Sequence, residues 1–355
     1  MRITNDKLRI SLRRKGENMK LGGKIAIIVV SCVLVAVIAI GLGLGLNAKK
    51  ALDNTEATPF LSEWMSYIKD DVKIKNVVIP GSHDAATKDM NWMAETQNRT
   101  IGEQLACGSR YLDLRVWKKG DDYYIFHGPI KGSKFLPIVE EIKAFLDAHP
   151  SEFLVLDMQK FKGDSQNDVI NILSSKLGDK IVKNTTSSAD MAFVDNLTVA
   201  DVRGKCLVFW GDPETVANGD YLFLRDHNDG RREDAVLRSF YSRKYNTLAS
   251  ASYIKKGLPT YLAMHKEKPL GLFVLQGQLT DPIFVIGPKA LEALHNENMS
   301  EYIKNFDTEN NQVNIIMRDY IGPKKCAEIL FLNTKYDNVK DALETDFVKE
   351  TSRLF

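Results

Sequence analysis

Two histidines in the sequence stand beside residues that can control their protonation. His83 and Asp84 follow the apolar run NVVIPGS, and His127 ends the run YYIFH. Asp113 and Arg115 are two positions apart in a third run, RYLDLRVW. A neutral imidazole can accept a proton from a hydroxyl and a protonated one can donate to a leaving oxygen, each step being worth roughly 10²- to 10⁴-fold. Because an arginine adds a fixed positive charge for anionic oxygens, this set suits attack on a phosphodiester.

Other polar residues interrupt two further apolar runs close to their ends. Asp157, Gln159 and Lys160 lie in or beside EFLVLDMQ, and Asp319 lies in VNIIMRDY. Carboxylates in such places can orient an imidazole and set its pKa. Taken singly, a histidine at a strand end is more often a structural residue, and Arg115 is equally an ordinary ion-pair partner. The joint pattern is what predicts a single converging site.

These residues sit in short apolar runs that recur along the chain. A continuous apolar run indicates a strand that is buried on both faces, which is typical of parallel β/α architectures. The sequence therefore predicts an α/β fold, most simply a TIM-type (β/α) barrel, with an irregular or incomplete barrel left open. In that fold the chemistry lies at the carboxyl ends of the strands. The predicted strands are 76–81, 110–117, 123–128, 152–159, 205–211, 259–264, 271–279 and 313–320, and helical spacing predicts a helix over 136–150.

A stretch of 22 residues without a charge, 25–46, precedes the barrel. At about 1.5 Å per residue it matches the roughly 30 Å of bilayer hydrocarbon, so it predicts a transmembrane helix. A cleaved signal peptide is the alternative, but the run is longer than a typical signal core and two lysines close it. The predicted organisation is a basic tail over 1–24, the transmembrane helix over 25–46, a polar linker over 47–60 and a catalytic barrel over 61–355.

Charge predicts how that helix is oriented. The tail before it carries eight Lys and Arg residues against two acidic ones, whereas only Lys49 and Lys50 follow it closely. The N-terminus is therefore predicted to be cytoplasmic and the barrel lumenal or extracellular. Residues 51–355 hold 38 basic and 44 acidic residues, a net charge of about −6, which argues against nucleic acid as a partner. Asn-x-Ser/Thr sequons in the same part are consistent with glycosylation at Asn98, Asn184, Asn196 and Asn298.

Three cysteines fall in the predicted barrel: Cys107, Cys206 and Cys326. They have no CxxC pattern and no metal-ligand spacing. Buried apolar thiols are favoured, while one disulfide with an odd thiol stays open.

The motifs also occur together in the order of a known family. IPGSHDAAT, GSRYLDLRVW, FHGPI, PSEFLVLDMQ, VRGKCLVF and MRDYI follow one another at approximately the spacing of the X-domain of phosphatidylinositol-specific phospholipases C. The sequence more closely resembles the compact bacterial type and the small eukaryotic X-domain-only proteins, over about residues 60–340. The resemblance implies a TIM-type barrel that cleaves an inositol lipid.

The resemblance also implies a role for each matching residue. His83 is similar to the general base that deprotonates the inositol 2-hydroxyl, with Asp319 orienting it. His127 resembles the general acid that protonates the diacylglycerol oxygen, assisted by Asp84. Arg115 stands where metal-independent members carry an arginine and calcium-dependent members bind the ion, so catalysis without a metal or other cofactor is implied. The implied product is a cyclic inositol phosphate, because the attacking hydroxyl belongs to the substrate itself.

The residues expected to hold the headgroup depart from the bacterial pattern. Gln159, with Lys160 beside it, aligns with a lysine that helps hold the inositol ring, and Gly211 aligns with a headgroup arginine. The predicted substrate-binding residues are Asp113, Gln159 and Lys160, and the candidates for a stacking tyrosine are Tyr241 and Tyr245. The choice between an inositol phospholipid and a glycosylphosphatidylinositol therefore stays open.

Membrane contact is expected beyond the anchor, and two other functions remain. Trp92 lies in the rim segment where bacterial relatives carry a membrane-inserting helix, although a packing role is an equal alternative.

A related barrel phosphodiesterase with another headgroup is the second hypothesis, and such enzymes typically need a divalent ion. A lipid- or glycan-binding ectodomain without turnover is the third, and it typically lacks a catalytic histidine.

Overall fold

Eight parallel strands form the framework of the structure, a computed structural model that describes residues 52–355 apart from 187, 218–220, 228–231, 248 and 282–285. Two further strands form a hairpin on the barrel. The strands are β1 (Ile79–Ser82), β2 (Tyr111–Lys119), β3 (Asp122–His127), β4 (Ile130–Lys134), β5 (Leu154–Lys162), β6 (Cys206–Trp210), β7 (Leu222–Leu224), β8 (Leu237–Ser239), β9 (Leu272–Gln276) and β10 (Ile315–Arg318).

Around the barrel the order is β1, β2, β5, β6, β7, β8, β9 and β10, and β10 pairs with β1. Each ladder along this path is parallel. Between β7 and β8 a single bridge joins Arg225 to Leu237, where the Val236 amide donates to the Leu224 carbonyl at 2.7 Å. The predicted TIM-type architecture is therefore confirmed as a nearly closed eight-stranded parallel barrel.

Helices fill most connections between the barrel strands. They are α1 (Pro59–Ser62), α2 (Ile101–Ala106), α3 (Phe135–Ala148), α4 (Gln166–Leu177), α5 (Asp190–Asn196), α6 (Val199–Val202), α7 (Pro213–Ala217), α8 (Arg243–Asn246), α9 (Ser250–Ser252), α10 (Leu258–Glu267), α11 (Pro288–Lys304), α12 (Pro323–Leu330), α13 (Leu332–Lys335) and α14 (Glu344–Ser352). A five-residue π-helix, Tyr253–Gly257, leads into α10.

Successive residues of the barrel strands are buried on opposite faces. In β5, Val155 joins a cluster that contains residues of several other barrel strands, whereas Leu154 and Leu156 pack with α3 and α4. Fully burying each such side chain contributes about 1.5–3 kcal/mol. Burial on both faces explains why these strands read as largely apolar runs.

Two sequence predictions of strands need correction. Residues 259–264 lie within α10, because Leu258, Tyr261, Leu262 and His265 are buried at helical spacing and Pro259 occupies the first turn. Strand β3 is not a barrel strand, since it pairs antiparallel with β2 and forms a hairpin with β4. The short strands β4, β7 and β8 were missed. The helix predicted over 136–150 is confirmed as α3.

The start of the described chain lies against the barrel. The Asp53 carboxylate accepts a hydrogen bond from the Lys324 amide at 2.6 Å, and Arg99 donates to the Asp53 carbonyl at 2.5 Å. The predicted transmembrane helix, 25–46, lies outside the described residues. Of the helices between residues 52 and 355, none combines the length and the apolar character that crossing a bilayer requires. Cys107, Cys206 and Cys326 are buried free thiols, as expected.

Candidate active site

His83 lies where β1 ends, between the carboxyl ends of its two neighbours. Its main-chain amide donates to the Arg318 carbonyl at 3.2 Å, which ties it to the end of β10. The next residue of that strand end, Asp319, has its Oδ1 at 2.6 Å from His83 Nδ1. The Gln97 amide group donates to both the His83 and the Arg318 carbonyls, at 2.9 and 3.0 Å. The ring is thereby fixed with Nε2 facing Asp84 and the cavity.

Asp84 connects the charged groups of the site. Its carboxylate Oδ2 is 3.3 Å from His83 Nε2 and 3.5 Å from His127 Nε2, and its Oδ1 is 2.6 Å from Arg115 Nε. The backbone at Asp84 has a φ of 41°, a left-handed conformation that is uncommon outside glycine. The turn is held because the Asp84 amide donates to the Asp113 carboxylate. One buried carboxylate therefore faces both imidazoles and the guanidinium.

His127 reaches the site through the β3–β4 hairpin rather than a barrel strand. Because β3 runs back along β2, it carries His127 to the level of the barrel mouth. The hairpin turns at Gly128, whose φ of 56° favours glycine. His127 Nδ1 is 2.8 Å from the Ala94 carbonyl, which can only accept, so Nδ1 carries the hydrogen. Nε2 is left as the position that exchanges a proton at the cavity.

Arg115 lies between two carboxylates. Its Nη2 is 3.1 Å from Asp113 Oδ2, while Nε contacts Asp84. Gln159 also donates to Asp113 Oδ2, at 3.2 Å. The ladder between β2 and β5 shifts register here, so that Arg115 pairs with Lys160 and Gln159 is an extra residue. This bulge lets neighbouring Gln159 and Lys160 line the same cavity, which strict strand alternation would prevent.

The electrostatics follow from these contacts. Burial lowers the pKa of His83, but the carboxylates of Asp84 and Asp319 raise it to about 9. Burial raises the pKa of Asp84, whereas the Arg115 guanidinium and the imidazoles lower it to about 2. Burial raises the pKa of Asp319. The centre of the site is therefore an ionised Asp84 carboxylate in contact with the Arg115 guanidinium and the imidazoles of His83 and His127.

A cavity of about 360 Å³ opens at the mouth of the barrel. His83, Asp84, Arg115 and His127 line it, together with predicted Gln159 and Lys160. Sequence reasoning missed several other lining residues: Arg243, Gln276, Gln278, Thr280 and Asp281. The two glutamines carried a signal, because they end the apolar run of β9 at the place where barrel chemistry lies.

A smaller, more apolar cavity adjoins the histidines on the other side. Met93, Ile286, Pro288 and Leu291 line it, and His83 and His127 form its inner wall. Trp92, next to Met93, is 61% exposed. The contact of Trp92 with a membrane stays a prediction.

Some predicted residues do not face the main cavity. Asp113 is buried beneath Arg115, and its role as a substrate contact stays a prediction. Asp157 is buried and binds the Tyr111 hydroxyl and Arg225, at 2.7 and 2.5 Å. Arg225 passes beside Gly211, where a headgroup arginine was expected, but it is only 2% exposed. Of the two candidate tyrosines, Tyr241 lines the cavity and Tyr245 packs on Tyr261.

The same residues raise the question of a metal. His83, Asp84 and Asp113 can each offer one ligand atom, and these atoms lie within 4.8 Å of one another. The Arg115 guanidinium contacts both carboxylates at 2.6 and 3.1 Å, so it already neutralises the charge that would attract a cation. The donor set therefore fits a metal only if Arg115 is displaced.

Comparison with known proteins agrees with this geometry. Residues 72–211 match the family model described as phosphatidylinositol-specific phospholipase C, X domain. The 1-phosphatidylinositol phosphodiesterase of Listeria monocytogenes is 30% identical over 172 residues, 46% of this chain and 51% of that protein. Mouse PI-PLC X domain-containing protein 2 is 33% identical over 134 residues, 28% of this chain and 39% of that protein. The chain thus spans about half the length of these relatives, or less.

The fold has a counterpart of known structure. The phosphatidylinositol-specific phospholipase C from Listeria monocytogenes superposes with a TM-score of 0.56 at 22% identity, over 76% of this chain and 98% of that one. The resemblance seen in the sequence motifs is confirmed by these matches.

Proposed function

We propose that this chain, which carries an X domain of the phosphatidylinositol-specific phospholipase C family, cleaves the glycerol–phosphate bond of an inositol lipid by general acid/base catalysis. The observation that carries the proposal is the placement of two imidazole Nε2 atoms within 3.5 Å of one carboxylate oxygen, Asp84 Oδ2, at the barrel mouth. Two ring nitrogens that can exchange a proton thus lie on one cavity wall, one able to accept a proton and the other to donate one, as a base and an acid require.

The proton transfers follow from which nitrogen of each ring is free. His83 Nε2 takes the proton from the inositol 2-hydroxyl, and the resulting oxygen bonds to phosphorus. The bond from phosphorus to the glycerol oxygen breaks, and that oxygen takes the proton from His127 Nε2. The products are a cyclic inositol phosphate and diacylglycerol, and Asp319 keeps the His83 ring oriented throughout.

Arg115 supplies the fixed charge for the phosphoryl oxygens. Its guanidinium lines the cavity and is held in place by Asp84 and Asp113, so it needs no reorganisation when charge develops. Burial lowers the pKa of Arg115, but the two carboxylates raise it above its ordinary value. Catalysis without a metal is part of the proposal.

The direct test uses the full chain with phosphatidylinositol in detergent mixed micelles. We expect release of a cyclic inositol phosphate, detected by phosphorus NMR, at the same rate with and without EDTA. A folded protein that releases nothing from phosphatidylinositol or from glycosylated inositol lipids sinks the proposal and favours a binding role. Loss of activity in EDTA favours the related metal-dependent phosphodiesterases, which the donor set of His83, Asp84 and Asp113 keeps open.

The pH dependence of kcat/KM is expected to report on His83. The pKa of His83 is raised to about 9, and a base must be unprotonated to act, so kcat/KM should rise with pH until about 9. Asp319→Asn removes one of the carboxylates that raise the pKa of His83. The rising, acidic side of the kcat/KM profile, its acid limb, should therefore move to lower pH, while kcat falls. Both profiles are measured by inositol phosphate release between pH 5 and 10. An acid limb that stays in place in Asp319→Asn would show that it reports another group.

The headgroup is proposed to be an inositol phosphate carrying further polar or anionic groups, including a glycosylated one. Lys160 and Arg243 both line the cavity and are exposed, whereas Arg115 is already paired. The Arg115 charge and partial burial lower the pKa of Lys160. Because both side chains line one cavity, this supports the proposal that Lys160 contacts the headgroup beside the phosphate.

The barrel is proposed to face away from the cytoplasm, on the strength of the basic tail before residues 25–46. With a tag at each end, added protease should leave the C-terminal tag intact in sealed microsomes and remove the N-terminal one. Among the sequons, Asn196 and Asn298 are exposed. A C-terminal tag that is digested in sealed vesicles overturns this orientation without affecting the proposed chemistry.

A further inference from the structure

A group of buried charges lies directly behind Asp319, on the side away from the cavity. Lys325 of α12 donates to Glu292 Oε1 of α11 at 2.7 Å, and Arg318 of β10 binds the same oxygen at 2.8 Å. The three side chains are 3%, 0% and 0% exposed. Residues from three separate elements are therefore joined through one carboxylate oxygen.

This group contacts the catalytic centre through the main chain. Lys325 Nζ also donates to the Asp319 carbonyl at 2.8 Å. Asp319 is the residue whose carboxylate lies 2.6 Å from His83 Nδ1. Lys325 thus binds the main chain of Asp319, the residue whose side chain orients the proposed base.

The turn that Lys325 contacts has an unfavourable backbone conformation. Tyr320, the residue after Asp319, has a φ of 46°, a left-handed conformation that residues other than glycine rarely adopt. Its amide donates to the Thr96 carbonyl at 2.7 Å, so one side of the turn is held from the β1 loop. Lys325 holds the other side, and without it the Asp319 peptide loses a buried partner.

Stability is a poor reason for keeping charges there. A buried ion pair generally contributes little beyond what well-packed apolar residues of similar size provide. The chain has nevertheless made room for the group, because a Cβ on Gly277 would lie 2.8 Å from Arg318 Cδ. Lys325, Arg318 and Glu292 together carry one formal positive charge, and the Lys325 ammonium group meets the Asp319 main-chain carbonyl.

We propose that Lys325, held by Glu292, is a positioning residue that fixes the Asp319 main chain and so maintains the hydrogen bond between Asp319 and His83. The kinetic consequence rests on the proposed function, since it concerns the base of that reaction. The structural consequence does not, because the hydrogen bond exists in the resting protein.

The test compares Lys325→Met with wild type in the full chain. The short bond from His83 Nδ1 to Asp319 should give a far-downfield proton NMR signal in wild type, assigned by its loss in Asp319→Asn. We expect Lys325→Met to lose or markedly shift this signal, and Lys325→Arg, which keeps charge and donors, to retain it. In turnover, a displaced base should lower kcat of Lys325→Met by about 10- to 100-fold and change KM by less than about threefold.

A matched control separates positioning from folding. Arg110 and Glu152 form another fully buried ion pair, at 2.7 Å, but at the amino ends of β2 and β5. Arg110→Met should lower the melting temperature and leave the downfield signal in place. If Lys325→Met does not fold, Glu292→Gln replaces it, because the amide keeps an acceptor while the charge is lost.

Two results overturn the inference. One is an unchanged downfield signal in folded Lys325→Met or Glu292→Gln. The other is a loss of kcat no larger than the loss of folded protein, as expected for Arg110→Met. If wild type shows the signal but no lipase activity, the proposed function fails while the comparison of signals still decides the role of Lys325.

Discussion

His83→Ala is expected to lower kcat for release of inositol phosphate by roughly 10³-fold, within the range for loss of a general base. The reason is geometric, since His83 Nε2 is fixed at the cavity by the bond from Nδ1 to Asp319. KM should change little, because in the proposed mechanism the imidazole acts on a proton while Arg115 contacts the phosphate. The measurement is turnover of phosphatidylinositol vesicles by the full chain, with folding checked by thermal melting.

A histidine outside the site, His149, provides the control for this experiment. His149 lies at the end of α3 and contacts Glu63 at 3.3 Å, away from the cavity residues. His149→Ala should therefore keep wild-type kcat. If His83→Ala retains more than about a tenth of wild-type activity while folded, another group accepts the proton and the assignment of the base is wrong.

The barrel architecture and six of its strands could be predicted because burial on both faces leaves a strong trace in the sequence. The run EFLVLDMQ, for example, contains four consecutive apolar residues, FLVL, before its first strand carboxylate. Strands β7 and β8 left no such trace, since each has only three residues. The run at 259–264 misled because a short apolar segment is ambiguous between strand and helix until its spacing is compared with burial.

The proposed catalytic residues could be found in the sequence for a different reason. His83, Asp84 and Asp319 follow strands β1 and β10, which neighbour each other, so the fold alone brings them together. His127 was placed correctly at the site but on the wrong kind of strand, because a hairpin and a barrel strand look alike in YYIFHG. In the structure His127 lies on β3, which pairs antiparallel with β2.

The remaining lining residues depend on features that a linear pattern does not contain. Gln159 and Lys160 share a cavity only because of a register shift between β2 and β5. Arg243 comes from α8, whose four residues carry no periodic signal. The contact of Lys325 with Asp319 joins a helix side chain to a main-chain carbonyl, which no spacing rule predicts.

Arg115→Ala is expected to lower kcat/KM by roughly 10²- to 10³-fold, through loss of the charge that stabilises the developing phosphoryl anion. It should also cost roughly 3–5 kcal/mol of stability, because the carboxylates of Asp84 and Asp113 stay buried without their partner. The Arg115 guanidinium also lowers the pKa of Asp84, so that pKa should rise in the variant. Turnover and thermal melting measure the two effects separately.

The same substitution gives a test of the metal-free proposal. With the guanidinium gone, the Asp84 and Asp113 carboxylates offer oxygen atoms within 4.8 Å of each other, a span that an ion with ligand distances of about 2.3–2.6 Å can bridge while His83 Nε2 stays free to accept a proton. Millimolar calcium should therefore raise the melting temperature of Arg115→Ala and recover part of its activity, whereas wild type should respond to neither calcium nor EDTA. Arg115→Lys is the matched control, because it keeps a positive charge between the carboxylates and should not respond to calcium. A wild-type protein that loses activity in EDTA and regains it with calcium would mean that an ion and Arg115 share the site, and the metal-free mechanism would have to be abandoned.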